Sequence, residues 1–236
     1  MGLVLSLSMS GCKVKNDLKN GNITDNGIKY QITKSTYTDK DIKIIYPQIN
    51  NFGDKDKQKT INEIIKADAL AFLANYKYNV NSTEGLTFNL DYKIKYKGLD
   101  YLSIVYLGLA SVKEIPYPTN QIYTSNIDLA NEKDLILVNV IDSFDENFGD
   151  KTRVGKYIHY RTDLNLEDNG DIKQVLNDYG NHQLMLILKP YTAKFYLTND
   201  SLGITLGVDH IMGDHVEIEM DYKLLKDLNV KPPMRN

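Results

Sequence analysis

The stretch "LTFNLDYKIKYKG", residues 86–98, constrains this chain more than any other. Leu86, Phe88, Leu90, Tyr92, Ile94 and Tyr96 alternate with Thr87, Asn89, Asp91, Lys93, Lys95 and Lys97. Successive side chains of a strand point to opposite faces, so this segment is a strand with one apolar and one wet face. Such half-wet strands belong to antiparallel sheets. The following run "YLSIVYLGLASV" is more continuously apolar and reads as a more buried partner, joined across the turn Gly98–Asp100.

"YQITKSTYTDKDIKIIYPQI" suggests one or two strands ending at Pro47, because the residue before a proline is pushed toward an extended conformation. From Asp54 to Tyr76 the period changes: Ile61, Ile64, Ile65, Leu70 and Leu73 form a core-facing helical stripe. Asp54 and Asp56 sit where the helix dipole favours negative charge. "IYTSNIDL" and "DLILVNVID" read as a hairpin around "ANEKD". A shorter helix over 171–179 follows the turn "EDNGD". Strands are then expected at 183–188, in "AKFYLTND" with "LGITLG", and in "HVEIEMDY". This order argues an α+β fold: antiparallel sheets with one long and one short helix, in two similar-sized halves, 28–115 and 116–236.

Composition bears on partners and compartment. The formal net charge is −3, so no broad basic field exists to attract a phosphate backbone, and nucleic acid is not expected as a partner. The single cysteine, Cys12, excludes an intramolecular disulfide. It closes "LVLSLSMSGC", an apolar run leading through Ser10 and Gly11, and this pattern resembles a bacterial lipobox. On that reading residues 1–12 are a truncated signal peptide and lipobox, Cys12 carries the lipid, and the protein is extracytoplasmic and anchored to the cell membrane. Met9 stands where an aliphatic residue is usual, and the basic start of a signal peptide is missing. Residues 13–27, "KVKNDLKNGNITDNG", hold too few large apolar groups to offset ordering and read as a flexible tether.

Chemistry-bearing residues are concentrated in "GVDHIMGDHVEIEMDY", residues 207–222. A zinc site would draw on Asp209, His210, Asp214 and His215, all legitimate ligand types. Yet no fixed motif spacing joins them, and Asp beside Gly213 is ordinary turn chemistry. The strand after the turn places Val216, Ile218, Met220 and Tyr222 on a core face. His215, Glu217, Glu219 and Asp221 are then expected on an open, solvated face. "NLEDNGDIKQVL" matches early positions of a calcium loop, but Leu176 stands where the bidentate Glu is required. No P-loop, dinucleotide fingerprint or nucleophile elbow occurs. No catalytic residue and no cofactor are therefore expected.

Three segments carry a family resemblance: "IIYPQINNFGDKDKQKTINEIIKADA", "LSIVYLGLASVKEIPYPTNQIYTSNIDLANEKDLILVNVID" and "FYLTNDSLGITLGVDHIMGDHVEIEMDYKLLKD". In this order, from about Ile28 to Leu228, they resemble a pair of bacterial cell-envelope domains of unknown function. The pair is similar to the extracytoplasmic part of the lysozyme-sensing anti-sigma factor RsiV and to the non-catalytic region of the peptidoglycan deacetylase PdaC. The sequence reproduces neither a sigma-factor-holding membrane segment nor the deacetylase metal motif, so no catalytic residue carries over. The resemblance implies a lipid-anchored binding module at the cell wall that recognises lysozyme, another wall-active protein or peptidoglycan. The acidic balance would suit a basic partner such as lysozyme. The alternative is a metal-dependent, deacetylase-like hydrolase of wall polysaccharide acting through Asp209, His210, Asp214 and His215.

Overall fold

The computed structural model describes residues 30–113, 115–142, 144–158, 170–178, 181–189 and 191–230; Cys12, the tether and residues 165–169 of the calcium-loop-like segment lie outside them. It opens with strands β1 (Gln31–Asp39) and β2 (Ile42–Asn50), paired antiparallel in strict register. Helices α1 (Lys55–Ala69) and α2 (Ala71–Val80) then lead to β3 (Leu86–Lys97), β4 (Tyr101–Val112), β5 (Thr119–Asp128) and the two-residue β6 (Lys133–Asp134). These strands form a six-stranded sheet in sequence order. Its pairings are antiparallel except β2 with β3, which run parallel because two helices separate them. The 86–98 and 101–112 hairpin stands as expected, with Tyr92 opposite Tyr106.

The second sheet follows α3 (Leu137–Val140), α4 (Glu146–Arg153), β7 (Lys156–Ile158), α5 (Gly170–Asp178) and α6 (Asn181–Leu188). It contains β8 (Lys194–Leu197), β9 (Ser201–Gly207) and β10 (His215–Asp221), in the all-antiparallel order β7-β10-β9-β8. The fold is α+β, as the sequence indicates, but the helix content differs from one long and one short helix. Among the described residues there are six helices. The first sheet also runs on to Asp134, past residue 115.

Local chemistry accounts for these boundaries. Asp54 caps α1 by accepting hydrogen bonds from the Asp56 and Lys57 amides at 2.9 and 3.1 Å. The helical stripe then breaks at Leu70, whose ψ of −1° ends α1 before α2 continues. Asn81 closes α2 with a left-handed φ of 55°, a conformation Asn tolerates. β2 continues through Pro47 to Asn50, because β3 pairs with β2 only over residues 42–44 and leaves that edge open. The expected strand at 183–188 is instead helix α6, which buries Leu184 and Leu188 four residues apart. Of "DLILVNVID" only Asp134 lies in a strand, the two-residue β6; the stretch then turns helical and buries Leu137, Val140 and Ile141.

Two cores result. Ile61, Ile65 and Ala69 of α1 pack on the first sheet against Phe88, Leu102, Ile104 and Tyr106. The helices after β6 cover one face of the second sheet around Phe148, Leu184, Ile204 and Ile218. Between the sheets a small third cluster joins Val105 and Ile122 to the buried Tyr196. Gly203 on β9 leaves room for the Tyr196 ring, which any Cβ there would strike.

The free edge of β8 is sealed by side chains of the first sheet. Ser103 Oγ accepts from the Leu197 amide at 2.9 Å and donates to Asn126 Oδ1 at 2.6 Å. Asn126 Nδ2 donates to the Phe195 carbonyl at 2.7 Å. Ser103 and Asn126 are both buried, so each satisfies backbone polarity that water cannot reach.

Candidate functional site

The β9–β10 connection is the turn expected around Gly213, where φ is 103°. Residues His210–Met212 form a single 3₁₀ turn, and Asp214 follows in a left-handed conformation with φ of 70°. His210 Nδ1 lies 2.8 Å from Asp214 Oδ1. Asp214 Oδ2 accepts from the Asn120 amide at 2.7 Å and from Asn120 Nδ2 at 3.2 Å. Burial works against the Asp214 charge, but the Asn120 amide and His210 together outweigh it and hold the carboxyl below its usual pKa. Asp214 thus clamps the turn to the start of β5.

The four residues singled out as zinc ligands separate into different surroundings. Asp209 and His210 are exposed, Asp214 is half-buried and tied to Asn120, and His215 is buried on β10. The structure brings His210 and Asp214 together. Among the described residues no group of three metal-ligating side chains converges.

The face of β10 expected to be open to solvent is covered. His215 is 8% exposed and Glu217 is 0% exposed, because the first sheet packs over them. Glu219 is partly buried there, and Asp221 alone of the four is exposed. The covered charges are compensated by β3: Lys95 Nζ sits 3.4 Å from Glu217 Oε2 and 3.5 Å from Glu219 Oε1. The same ammonium lies 4.1 Å from the Tyr196 ring centroid, and the Tyr196 hydroxyl donates to Glu219 at 2.9 Å. Burial, with the Glu217 and Glu219 charges, pushes the Tyr196 pKa far above its ordinary value. Lys95 was legible as a wet-face residue; its burial follows from a second sheet that alternation does not reveal.

His215 sits at the junction of two depressions. One, of about 360 Å³, lies among the start of β5, the segment from α6 to β8, and the β9–β10 turn. Its walls include Asn120, Lys189, Thr192, Lys194, Asp214 and His215. The other, of about 570 Å³, opens toward β2 and β3 and shares Asn120, Gln121 and His215 with the first. Burial lowers the His215 pKa, outweighing the carboxylates of Glu217 and Asp214, which act to raise it. Lys194 Nζ donates to the Ile122 carbonyl at 2.8 Å and lies 4.5 Å from the Tyr123 ring centroid. Burial lowers its pKa as well.

Three exposed apolar side chains adjoin the lining segments in sequence without lining the cleft themselves: Tyr117, 66% exposed, before Thr119; Tyr191, 72%, before Thr192; and Ile211, 79%, in the turn between Gly207 and Asp214. The Tyr117 ring lies 5.8 Å from that of His210, so the loop before β5 and the β9–β10 turn meet. Neither Asn120 nor Lys194 carried any motif signal. Tyr117 was not singled out either; the signal that could have marked it is "IPYPTN", where two prolines flank an aromatic in a connecting segment.

The fold and cleft together define an α+β module in which one sheet is laid on another, with a polar recess where they part. Solved structures share this fold. A member of the DUF3298 family from Bacteroides fragilis superposes with a TM-score of 0.53 at 14% identity, covering 86% of this chain and 94% of that one. A DUF3298 family protein from Pseudomonas aeruginosa gives a TM-score of 0.52 at 15% identity, covering 87% of this chain and 97% of that one. No family model matches the chain, and no curated protein matches it in sequence.

Proposed function

We propose that this chain is a binding module of the bacterial cell envelope, held by a lipid on Cys12, which recognises peptidoglycan or a wall-active protein such as lysozyme. The observation that carries this reading is the inter-sheet cleft with its fixed polar lining, together with the exposed Tyr117 and Tyr191 on segments that adjoin it. Recesses with a few fixed polar groups, bordered by exposed apolar side chains, suit recognition of a partner. The resemblance of three segments to RsiV and PdaC supports the envelope reading, and the DUF3298 structures supply a likeness of fold.

The test uses the full chain, mixed with purified peptidoglycan sacculi and, separately, titrated with lysozyme at low and moderate salt. Saturable binding to either, weakened by replacing both Tyr117 and Tyr191 with Ala, is expected. No binding to either partner would remove the reading. In cells, Cys12→Ser should move the protein from the membrane fraction to the soluble one, and unchanged retention would remove the lipid anchor.

A further inference from the structure

The charge balance inside the cleft narrows what it can hold. Its walls contribute one carboxylate, Asp214, which is already engaged by Asn120 and His210. Against it stand two ammonium groups, Lys189 and Lys194. Neither has a carboxylate partner among the described residues. Lys194 spends one donor on the Ile122 carbonyl and leaves two for a ligand. Lys189 adopts a left-handed φ of 38° at the end of α6, and its carbonyl accepts from the Thr192 and Ala193 amides, both at 2.8 Å. That turn holds Lys189 on the same wall as Lys194. Hydroxyls of Thr192 and Thr205 add neutral donors.

From this arrangement we infer that the cleft is an oxyanion site, in which Lys189 and Lys194 bind a carboxylate or phosphate carried by a wall polymer. The inference rests on the binding-module reading and names the chemistry of its ligand. Two unneutralised cations beside an engaged carboxylate leave a net positive recess in a chain whose overall charge is −3. An oxyanion supplies the missing charge and accepts the remaining ammonium donors, which are stronger than neutral ones. A basic protein such as lysozyme would meet like charge here, so it is an outcome of the test rather than the proposed occupant.

The experiment is calorimetric titration of the full chain with four probes: the dipeptide D-alanyl-D-alanine, its C-terminal amide, glycerol 3-phosphate and the neutral trisaccharide of N-acetylglucosamine. Binding of the dipeptide and not its amide assigns the site to a peptide carboxylate; binding of glycerol 3-phosphate alone assigns it to a polymer phosphate. In either case Lys194→Met and, separately, Lys189→Gln should weaken binding about tenfold or more. Lys189→Gln removes an exposed charge, and thermal unfolding checks that both variants are folded. Binding of the trisaccharide alone, or binding unchanged in both folded variants, overturns the oxyanion site. Sacculi retained equally by wild type and variants also overturn it while leaving the module reading intact. Loss of all binding, including sacculi and lysozyme, overturns both.

Discussion

Replacing Asp68 with Asn should stabilise the protein at alkaline pH and leave it little changed in acid. Asp68 lies on the last turn of α1, where burial pushes its carboxyl up to about 7; the Ser125 hydroxyl opposes this and the Asp134 charge on β6 adds to it. The Ser125 hydroxyl also lies 3.2 Å from that of Tyr106, so the carboxyl belongs to a polar pocket under the helix. The rise from 3.8 to about 7 corresponds to a ceiling of about 4 kcal/mol at roughly 1.4 kcal/mol per pKa unit. Asp68 is partly exposed, and solvent screening reduces the expected effect to about 1–2 kcal/mol. A raised acid binds its proton more tightly in the folded state. Its contribution is therefore complete below pH 3.8 and is lost as pH rises through about 7. Asn imitates the protonated form at every pH. Urea unfolding followed by circular dichroism at pH 4 and pH 8.5 measures the difference directly. The variant should gain about 1–2 kcal/mol at the higher pH, or about 2–8 °C in Tm for a chain of this size. A variant destabilised equally at both pH values would show that Asp68 is held as a charge, and would refute the reasoning.

Two further perturbations probe the contact between the sheets. Lys95→Met removes the cation between Glu217 and Glu219, leaving Glu217 buried without compensation, and should cost about 3–5 kcal/mol in chemical denaturation at pH 7. Adding Glu217→Gln should recover part of that loss; a single variant within about 0.5 kcal/mol of wild type would mean the carboxylates are balanced elsewhere. Ser103→Ala leaves the buried Leu197 amide without its acceptor and should cost about 1–3 kcal/mol, together with faster hydrogen exchange of that amide. An unchanged exchange rate would show that β8 does not depend on this seal.

Elements whose periodicity was unambiguous were legible in the sequence. The alternation of Leu86 through Lys97 marks β3, and the stripe from Ile61 to Leu73 marks the helical segment, though not its break at Leu70. Short apolar runs were not legible. "QLMLIL" satisfies a buried strand or a buried helix equally, and it became α6 because Leu184 and Leu188 reach the second core from one helical face. Helix α4 had a signal that went unread: Asp145 caps the Asn147 amide at 3.1 Å, and Phe148 and Thr152 follow at helical spacing.

The candidate site was illegible for a different reason. A period of two assigns side chains to faces, but it does not say what lies above each face. On β10 it separated Val216, Ile218 and Met220 from His215, Glu217 and Glu219 correctly, and both rows proved to be covered. The polar row is tolerated because β3 supplies Lys95 and β8 supplies the Tyr196 hydroxyl. At the β9–β10 turn the covering sheet stops, and His215 borders open space where its neighbours two and four residues on do not. The other walls come from residues 119–122 and 187–194, distant in sequence and free of any motif spacing. A recess of this kind follows from where one sheet ends upon another, so its residues are recognisable only after the register of β10 and the position of β5 are known.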